Sequence, residues 1–559
     1  MKIVVDLNRC QSYGQCVFAA PKVFRFHGEQ SLEYDYNPDD ELRVQVERAA
    51  AACPVQAISI GDADEQPKTD KRSDSQGDGL YRAVNLLPQA SYRSIDRVVI
   101  VGASLAGLRA AEALRNEGFT GHLTLIGDEP WEPYDRPPLS KSVLTGWLPI
   151  DHTTLPQLCD IQAEWILGVA ATGLDRQKHQ VRLADGRLVD FDRLLIATGT
   201  RARPWVNREQ AALDGVFTLR TREDSSRLRT RLALGPKRVL VIGGGFTGSE
   251  VASVCRELGL QVTLAERGPG PLAGALGQAA GVVAAMWQRQ YGVDLRCNVT
   301  VMSLEGDTDG RLRTARLSDG DVLDIDVAVV ALGAVRNVEW LHGAKLAADA
   351  RGVVCDASCR VFDEDGMVTD DIFVAGDVAR WPNTFYDGML LSVEHWGNAV
   401  DQAKTAAHNM VCAPSDRRPH KSLPAFWSNQ FGVNIKSVGL PTIADEVVLT
   451  QGTVEERRLV AAYGQNGRIV AAITVNAALW LPAYQALIEE RAPFPPELHA
   501  ADGPVKLRPI PAGFPPQGHA THSPGAAPTG PGPSTPEPSA KGEAATMKDP
   551  RVPIGPPPL

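Results

Sequence analysis

Two glycine turns set 141 residues apart constrain this chain more than any other feature. Val98-Val-Ile-Val-Gly102-Ala-Ser104-Leu-Ala-Gly107 runs into the Ala/Leu-rich stretch Leu108–Leu114. Val239-Leu-Val-Ile-Gly243-Gly-Gly245-Phe-Thr-Gly248-Ser-Glu250 repeats the pattern more cleanly. A β-branched run, a tight glycine turn and a helix start bring backbone N–H groups and the positive dipole end against a pyrophosphate. One such turn alone can be merely structural. Two, each followed by a strand that ends in an acid, point to two dinucleotide sites.

The acids refine this reading. Leu123–Ile126 ends in Gly127-Asp128-Glu129, where a carboxylate can accept from ribose hydroxyls. Ser104 replaces the middle glycine of the first turn, and its small side chain still permits close approach. After the second turn, Val262-Thr-Leu-Ala ends at Glu266, twenty-three residues beyond Gly243. A carboxylate there repels a 2′-phosphate and favours NADH over NADPH, although Arg267 beside it is the residue type that accommodates NADP.

A chain of 559 residues exceeds one compact core, so several domains are expected. Residues 1–62 form a compact block, and 63–96, rich in Asp, Gly, Ser, Gln and Lys, read as a flexible linker. Beyond it, runs such as Val98–Val101, Leu123–Ile126, Val239–Ile242 and Val327–Val330 alternate with helical stretches, which predicts parallel sheets with crossover helices. The last 59 residues hold 16 of the 40 prolines, so 501–559 read as a disordered tail. The net charge of −10 leaves no basic face for nucleic acid, and no apolar run is long enough to insert in a membrane. The start lacks the apolar core of a signal peptide, so a cytoplasmic location is expected, where nine cysteines read as thiols or metal ligands.

Three of those cysteines are placed for metal. Cys10-Gln-Ser-Tyr13-Gly-Gln-Cys16 is followed by Cys53-Pro54. Thiolates ligate iron–sulfur clusters, and a Cys-Pro closes the bacterial ferredoxin run. Tyr13 occupies the middle place of a C-x-x-C-x-x-C run. Three thiolates suit [3Fe-4S]; a [4Fe-4S] cluster with a non-cysteine ligand is the alternative. Zinc fits less well, since no histidine sits at ligand spacing. A block this short rarely folds without a metal staple. The block is similar to the small single-cluster ferredoxins that serve cytochrome P-450 enzymes, carried by Val4-Asp6, Gly14, Val23-Phe24 and Cys53-Pro54-Val-Gln-Ala-Ile58.

The rest resembles the pyridine-nucleotide-disulfide-oxidoreductase-like flavoproteins, in particular oxygenase-coupled ferredoxin reductases. The resemblance rests on Tyr134-Asp-Arg-Pro-Pro-Leu-Ser-Lys141, Ala197-Thr198-Gly199, Ala375-Gly-Asp377, Val393-Glu394-His395-Trp396-Gly-Asn-Ala399 and Phe426-Trp-Ser-Asn-Gln430. It implies FAD on Gly102, Ser104 and Gly107, with Glu129 at the ribose and a nicotinamide-binding domain nested within the FAD domain. By the same resemblance Arg136 and Lys141 contact the flavin, Asp377 holds the ribityl chain, and Thr198, Gly199, Glu394 and His395 line the site. Lys141 and Glu250 lie near N5, and Trp396 beside the ring. These three form the expected catalytic set. NADH falls to Gly243, Gly245, Gly248 and Glu266.

The expected fold is therefore α/β: two nested Rossmann-like dinucleotide-binding domains and an α+β interface domain, preceded by a small α+β ferredoxin domain. The FAD domain is read as 97–213 and 331–415, the NADH domain as 214–330 and the interface domain as 416–500. Disulfide reductases of the superfamily need a cysteine pair against the flavin, yet only Cys159 falls between Gly102 and Gly199 and no C-x-x-C exists. Electrons should instead leave by the cluster: NADH to FAD to iron–sulfur to a terminal oxygenase such as cytochrome P-450. A Rieske oxygenase as acceptor, or a redox-sensing flavoprotein like the apoptosis factors, are the alternatives. The acidic stretch Glu33–Glu41 reads either as a docking patch or as a solvated loop.

Overall fold

The computed structural model describes residues 1–61 and 95–496. The expected linker lies outside them except for residues 95 and 96, and the expected proline-rich tail lies wholly outside.

The first glycine turn sits at the end of the central strand of a six-stranded sheet. Its order is Arg360–Phe362, Val368–Val374, Arg193–Ile196, Arg97–Val101, His122–Ile126 and Glu164–Ile166, parallel throughout except at the first pair. Val98, Val99 and Ile100 are almost wholly buried, as expected of strands covered on both faces. On one face lie the helices Leu105–Asn116 and Trp396–Val411, whose facing alanines, Ala110 with Ala403 and Ala407 among them, share one core with the sheet. Small side chains let the two helices approach closely. The other face carries the antiparallel sheet Ala171–Asp175, Gln180–Leu183, Leu188–Asp190.

The second glycine turn belongs to a five-stranded parallel sheet ordered Val216–Phe217, Val327–Val330, Arg238–Ile242, Gln261–Glu266, Asp294–Cys297. All of it is built between the third strand of the first sheet and that sheet's return at Arg360. The two Rossmann-like units are thus nested. A five-stranded antiparallel sheet spans Ala425 to Val475 and is backed by helix Leu481–Glu489.

The N-terminal block pairs Lys2–Val5 with Ile58–Gly61 and Phe24–His27 with Ser31–Tyr34, and adds helices Gln15–Ala19 and Arg43–Ala52. Its core is not self-contained. Ile3, Val5, Phe24, Tyr34 and Tyr36 share one buried cluster with Tyr134, Leu139, Val143 and Leu148. The acidic stretch is divided: Asp35 bonds His152 at 2.8 Å, whereas Asp39, Asp40 and Glu41 face solvent.

Candidate functional site

Both glycine turns leave a helix start open. Gly102 has φ +123°, and a Cβ on it would lie 2.1 Å from the Ala197 carbonyl oxygen, so only glycine fits. Neither Ser104 nor Gly245 caps its twelve-residue helix with a side chain. The helix at Arg222–Ala233, by contrast, carries a full capping box from Thr221 and Asp224. The first-turn N–H groups of these two helices are left for an anion, which fits a dinucleotide at each.

From the first turn opens a cavity of about 350 Å³ lined by Ser104, Arg136, Lys141, Thr198, Gly199, Glu250, Asp377, Glu394, His395 and Trp396. Ten of the expected residues thus meet in one place. Glu129 is tied to it through Arg136, at 2.6 Å, and through the Tyr134 hydroxyl at 2.5 Å. Gly243, Gly245, Gly248 and Glu266 lie outside this lining. They form a second cradle, joined to the cavity by Phe246, Thr247 and Glu250 of the same helix. There the Glu266 carboxylate accepts from the Gly244 N–H at 2.6 Å and the Gly268 N–H at 2.5 Å.

Three charged arrangements organise the cavity. The Lys141 ammonium lies 2.8 Å from the Glu250 carboxylate, which also accepts from the Ser140 and Ser428 hydroxyls at 2.6 Å each. Asp377 is paired with Arg220 at 2.9 Å, and Glu394 with Arg336 at 2.7 Å. Burial, with Asp377 nearby, raises the Glu394 carboxyl above its usual range against the pull of Arg336. Thr198 donates to the Asn337 carbonyl at 2.8 Å, and the Asn337 amide donates back to the Thr198 carbonyl at 2.9 Å.

Asp135 joins this site to the N-terminal block. The Trp396 indole donates to its carboxylate at 2.9 Å, and the nearby Tyr36 hydroxyl favours its charged form. Burial raises the Asp135 carboxyl to about 6 in spite of both neighbours. Tyr36 stacks on Tyr34 at 4.1 Å between centroids. His395 accepts from the Gly397 N–H at 3.3 Å, and burial together with the Lys436 charge lowers it to about 3, so it is a neutral acceptor.

Cys10, Cys16 and Cys53 line one small cavity with Tyr13 and Gly14. The Cys53 sulfur accepts from the Ala57 N–H at 3.3 Å. Burial and the neighbouring Cys10 raise the Cys16 thiol to about 12. Such thiols deprotonate when a metal takes them, and amide donors to sulfur suit a cluster. Tyr13 is half-buried and donates to Gln11 at 3.0 Å. Between this cavity and the first lies a third, which shares Cys10 with one and His395 and Trp396 with the other.

Sequence reading missed Asp135, Arg220, Arg336, Ser428, Tyr36 and Lys436. Asp135 and Ser428 stood inside the motifs quoted above, so a signal existed for them. The others carry none locally.

Comparisons with known proteins agree with this geometry. Residues 96–403 match the family described as pyridine nucleotide-disulphide oxidoreductase, 425–510 that described as reductase C-terminal, and 3–60 that described as 4Fe-4S single cluster domain. The probable ferredoxin reductase CtmF of Castellaniella defragrans is 36% identical over 70% of this chain and 93% of its own length. Putidaredoxin reductase CamA of Pseudomonas putida is 33% identical over 74% and 96%. The reductase component of the p-cumate 2,3-dioxygenase system of Pseudomonas putida is 33% identical over 74% and 98%. Among solved structures, the covalent putidaredoxin reductase–putidaredoxin complex superposes with a TM-score of 0.66 at 30% identity, covering 71% of this chain and 94% of that one.

Proposed function

We propose that this chain, which belongs to the pyridine nucleotide-disulphide oxidoreductase family and is an FAD-dependent NADH:ferredoxin oxidoreductase, carries its own ferredoxin as residues 1–62. Electrons would pass from NADH through FAD and a [3Fe-4S] cluster to a terminal oxygenase, cytochrome P-450 in the first instance. The flavin, when bound, accepts a hydride from NADH and releases its electrons singly, which a one-electron cluster can carry.

The observation that carries this reading is the run of three cavities, in which Cys10 and Trp396 both line the middle one. The N-terminal block thus presents its cysteine loop to the flavin side of the reductase. In the first cavity the Lys141 ammonium, fixed by Glu250, would stabilise negative charge gained on reduction. Asp377, oriented by Arg220, would hold ribityl hydroxyls. Glu266 would bind the ribose of NADH and disfavour a 2′-phosphate.

The three-iron assignment rests on Tyr13 in the place of a cysteine and on the three thiols that line the cavity. A dioxygenase component as acceptor is the second reading, favoured by relatives named for the p-cumate and biphenyl dioxygenase systems. A redox-sensing interaction protein is disfavoured, because such a protein has no use for a cluster facing its flavin. Electron paramagnetic resonance of the purified chain, before and after NADH, tests the proposal. A signal as isolated that NADH abolishes, with NADH-driven cytochrome c reduction lost in Cys10→Ala, is expected. Flavin reduction by NADH that never reaches the cluster refutes it.

A further inference from the structure

The electron path just proposed leaves one buried cation unused. Lys436 sits on strand Val433–Gly439 of the C-terminal sheet and is only 4% exposed. Its ammonium donates to the backbone carbonyls of Leu7 and Cys10, both at 2.5 Å. These carbonyls belong to the N-terminal block, in the loop that leads into the first cluster cysteine.

Among the described residues no carboxylate lies within ion-pair distance of this ammonium. Two carbonyl dipoles solvate a charge but do not neutralise it, and a buried unpaired cation is costly. The neighbouring His395 imidazole accepts from Gly397 and stays neutral, so it neither offsets the ammonium nor adds a second cation. Asp6, the nearest acid in the loop, spends one carboxylate oxygen on the N–H groups of Asn8 and Arg9 at 2.9 and 3.2 Å and reaches the ammonium only from a distance, without an ion pair. In direct contact with Lys436 stands the cysteine loop itself, and thiolate ligation gives that loop a net negative charge when iron is bound.

We propose that Lys436 is the counter-ion of the fused iron–sulfur cluster, a positioning residue that grips the cysteine loop through its backbone and senses the cluster's charge. The inference rests on the fused-ferredoxin reading above. One electron moves from the reduced flavin to the cluster, with no bond made or broken, and adds one negative charge beside the ammonium. Because docking and reduction then favour each other, linkage makes both effects reciprocal. The reduced N-terminal block docks more tightly than the oxidised one, and the cluster is a stronger reductant undocked than docked. The reductase thus draws electrons onto the cluster in place, and release of the block sharpens their onward transfer.

The whole cluster-loaded chain tests this in two ways. The first needs no variant: amide hydrogen exchange over residues 5–12 is measured with the cluster oxidised and with it reduced by dithionite. Slower exchange in the reduced state is expected, and equal exchange in both states overturns the inference. The second is a reductive titration of the cluster followed by electron paramagnetic resonance in wild type, Lys436→Gln and Lys436→Arg. Lys436→Gln should disfavour cluster reduction on the order of tenfold, and Lys436→Arg should restore most of it. An unmoved potential in Lys436→Gln, or an equal shift in Lys436→Arg, overturns the inference alone. Absence of any cluster signal in the wild type overturns the fused-ferredoxin reading and this inference with it.

Discussion

Lys141 and Glu250 face each other at 2.8 Å across the join between the two nested dinucleotide units. Lys141 comes from the loop after the first unit's second strand, and Glu250 from the helix that starts at the second glycine turn. Both are nearly buried, so this pair couples the relative placement of the two cofactor sites to a charge interaction that water screens weakly.

Lys141→Met should therefore do two things. It leaves the Glu250 carboxylate buried with only the Ser140 and Ser428 hydroxyls, a change that costs about 3 kcal/mol when one member of a buried pair is removed. A lower thermal midpoint of the FAD-loaded protein is expected, together with slower flavin reduction by NADH in stopped-flow absorbance. The double variant Lys141→Met/Glu250→Gln should recover much of the midpoint but not the rate. Recovery of both would reduce the pair to a structural role.

The carboxyl of Asp135, held at about 6 by burial, gives stability a defined pH dependence. A carboxyl whose folded value is raised binds its proton more tightly when folded, so stability falls as pH rises from about 4 through 6 and then levels off. The expected fall is on the order of 3 kcal/mol. Asp135→Asn keeps an acceptor for the Trp396 indole and removes the titration. Thermal midpoints from pH 4 to 8 should slope in the wild type between those limits and lose that step in the variant.

Much of the fold was legible because its signals are local. Alternating β-branched runs and glycine turns are written in consecutive residues, and they placed both parallel sheets. The cavity was only half legible. Lys141, Glu250 and Trp396 were assigned through resemblance, since as isolated residues they read as a surface cation, a helix acid and a core aromatic. Arg220 and Arg336 carry no local signal at all, because their meaning comes from Asp377 and Glu394, more than fifty residues away in each case. Lys436 actively misleads. A lysine on a strand of an antiparallel sheet reads as solvent-facing, and here its buried ammonium is taken up by the carbonyls of the N-terminal block.

His27 bridges the N-terminal block and the reductase, with Glu33 at 3.7 Å in its own hairpin and Glu257 at 3.5 Å across the interface. Glu33 is the main cause of its raised pKa, with Glu257 adding to it. A raised histidine contributes fully below its ordinary value near 6.5 and loses that contribution as pH rises through the higher folded value. Docking of the block should weaken slightly with alkalinity, and His27→Gln should flatten the response. Chemical cross-linking yield between block and reductase against pH measures this. A steeper loss in the variant would contradict it.

Nicotinamide preference should respond to Glu266. Its carboxylate accepts from two backbone N–H groups in the second cradle, so Glu266→Ala removes both a loop brace and a repulsive charge. The ratio of kcat/KM for NADH over NADPH should fall by about tenfold, through a higher KM for NADH and a lower one for NADPH. An unchanged ratio would place the discrimination elsewhere.

Tyr13→Cys supplies a thiol at the middle place of the cysteine run, beside the cavity that Cys10, Cys16 and Cys53 line. The variant should assemble a four-iron cluster, silent in electron paramagnetic resonance as isolated and carrying one more iron per chain. Iron analysis and the spectrum of the oxidised protein decide it. A signal identical to the wild type would show that the position does not ligate.

The closeness of the Tyr36 hydroxyl to Asp135 has a consequence for how such a chain can be rebuilt. Lys436 grips carbonyl oxygens, which every polypeptide offers, so that contact would accept a foreign ferredoxin of the same backbone shape. Asp135 sits beside a particular hydroxyl, and a transplanted module with phenylalanine at that place would strip a buried carboxylate of a polar neighbour. The two halves are therefore interchangeable at one contact and matched at the other. A graft chosen for backbone shape alone would dock with its electron source while unsettling the carboxylate that orients Trp396.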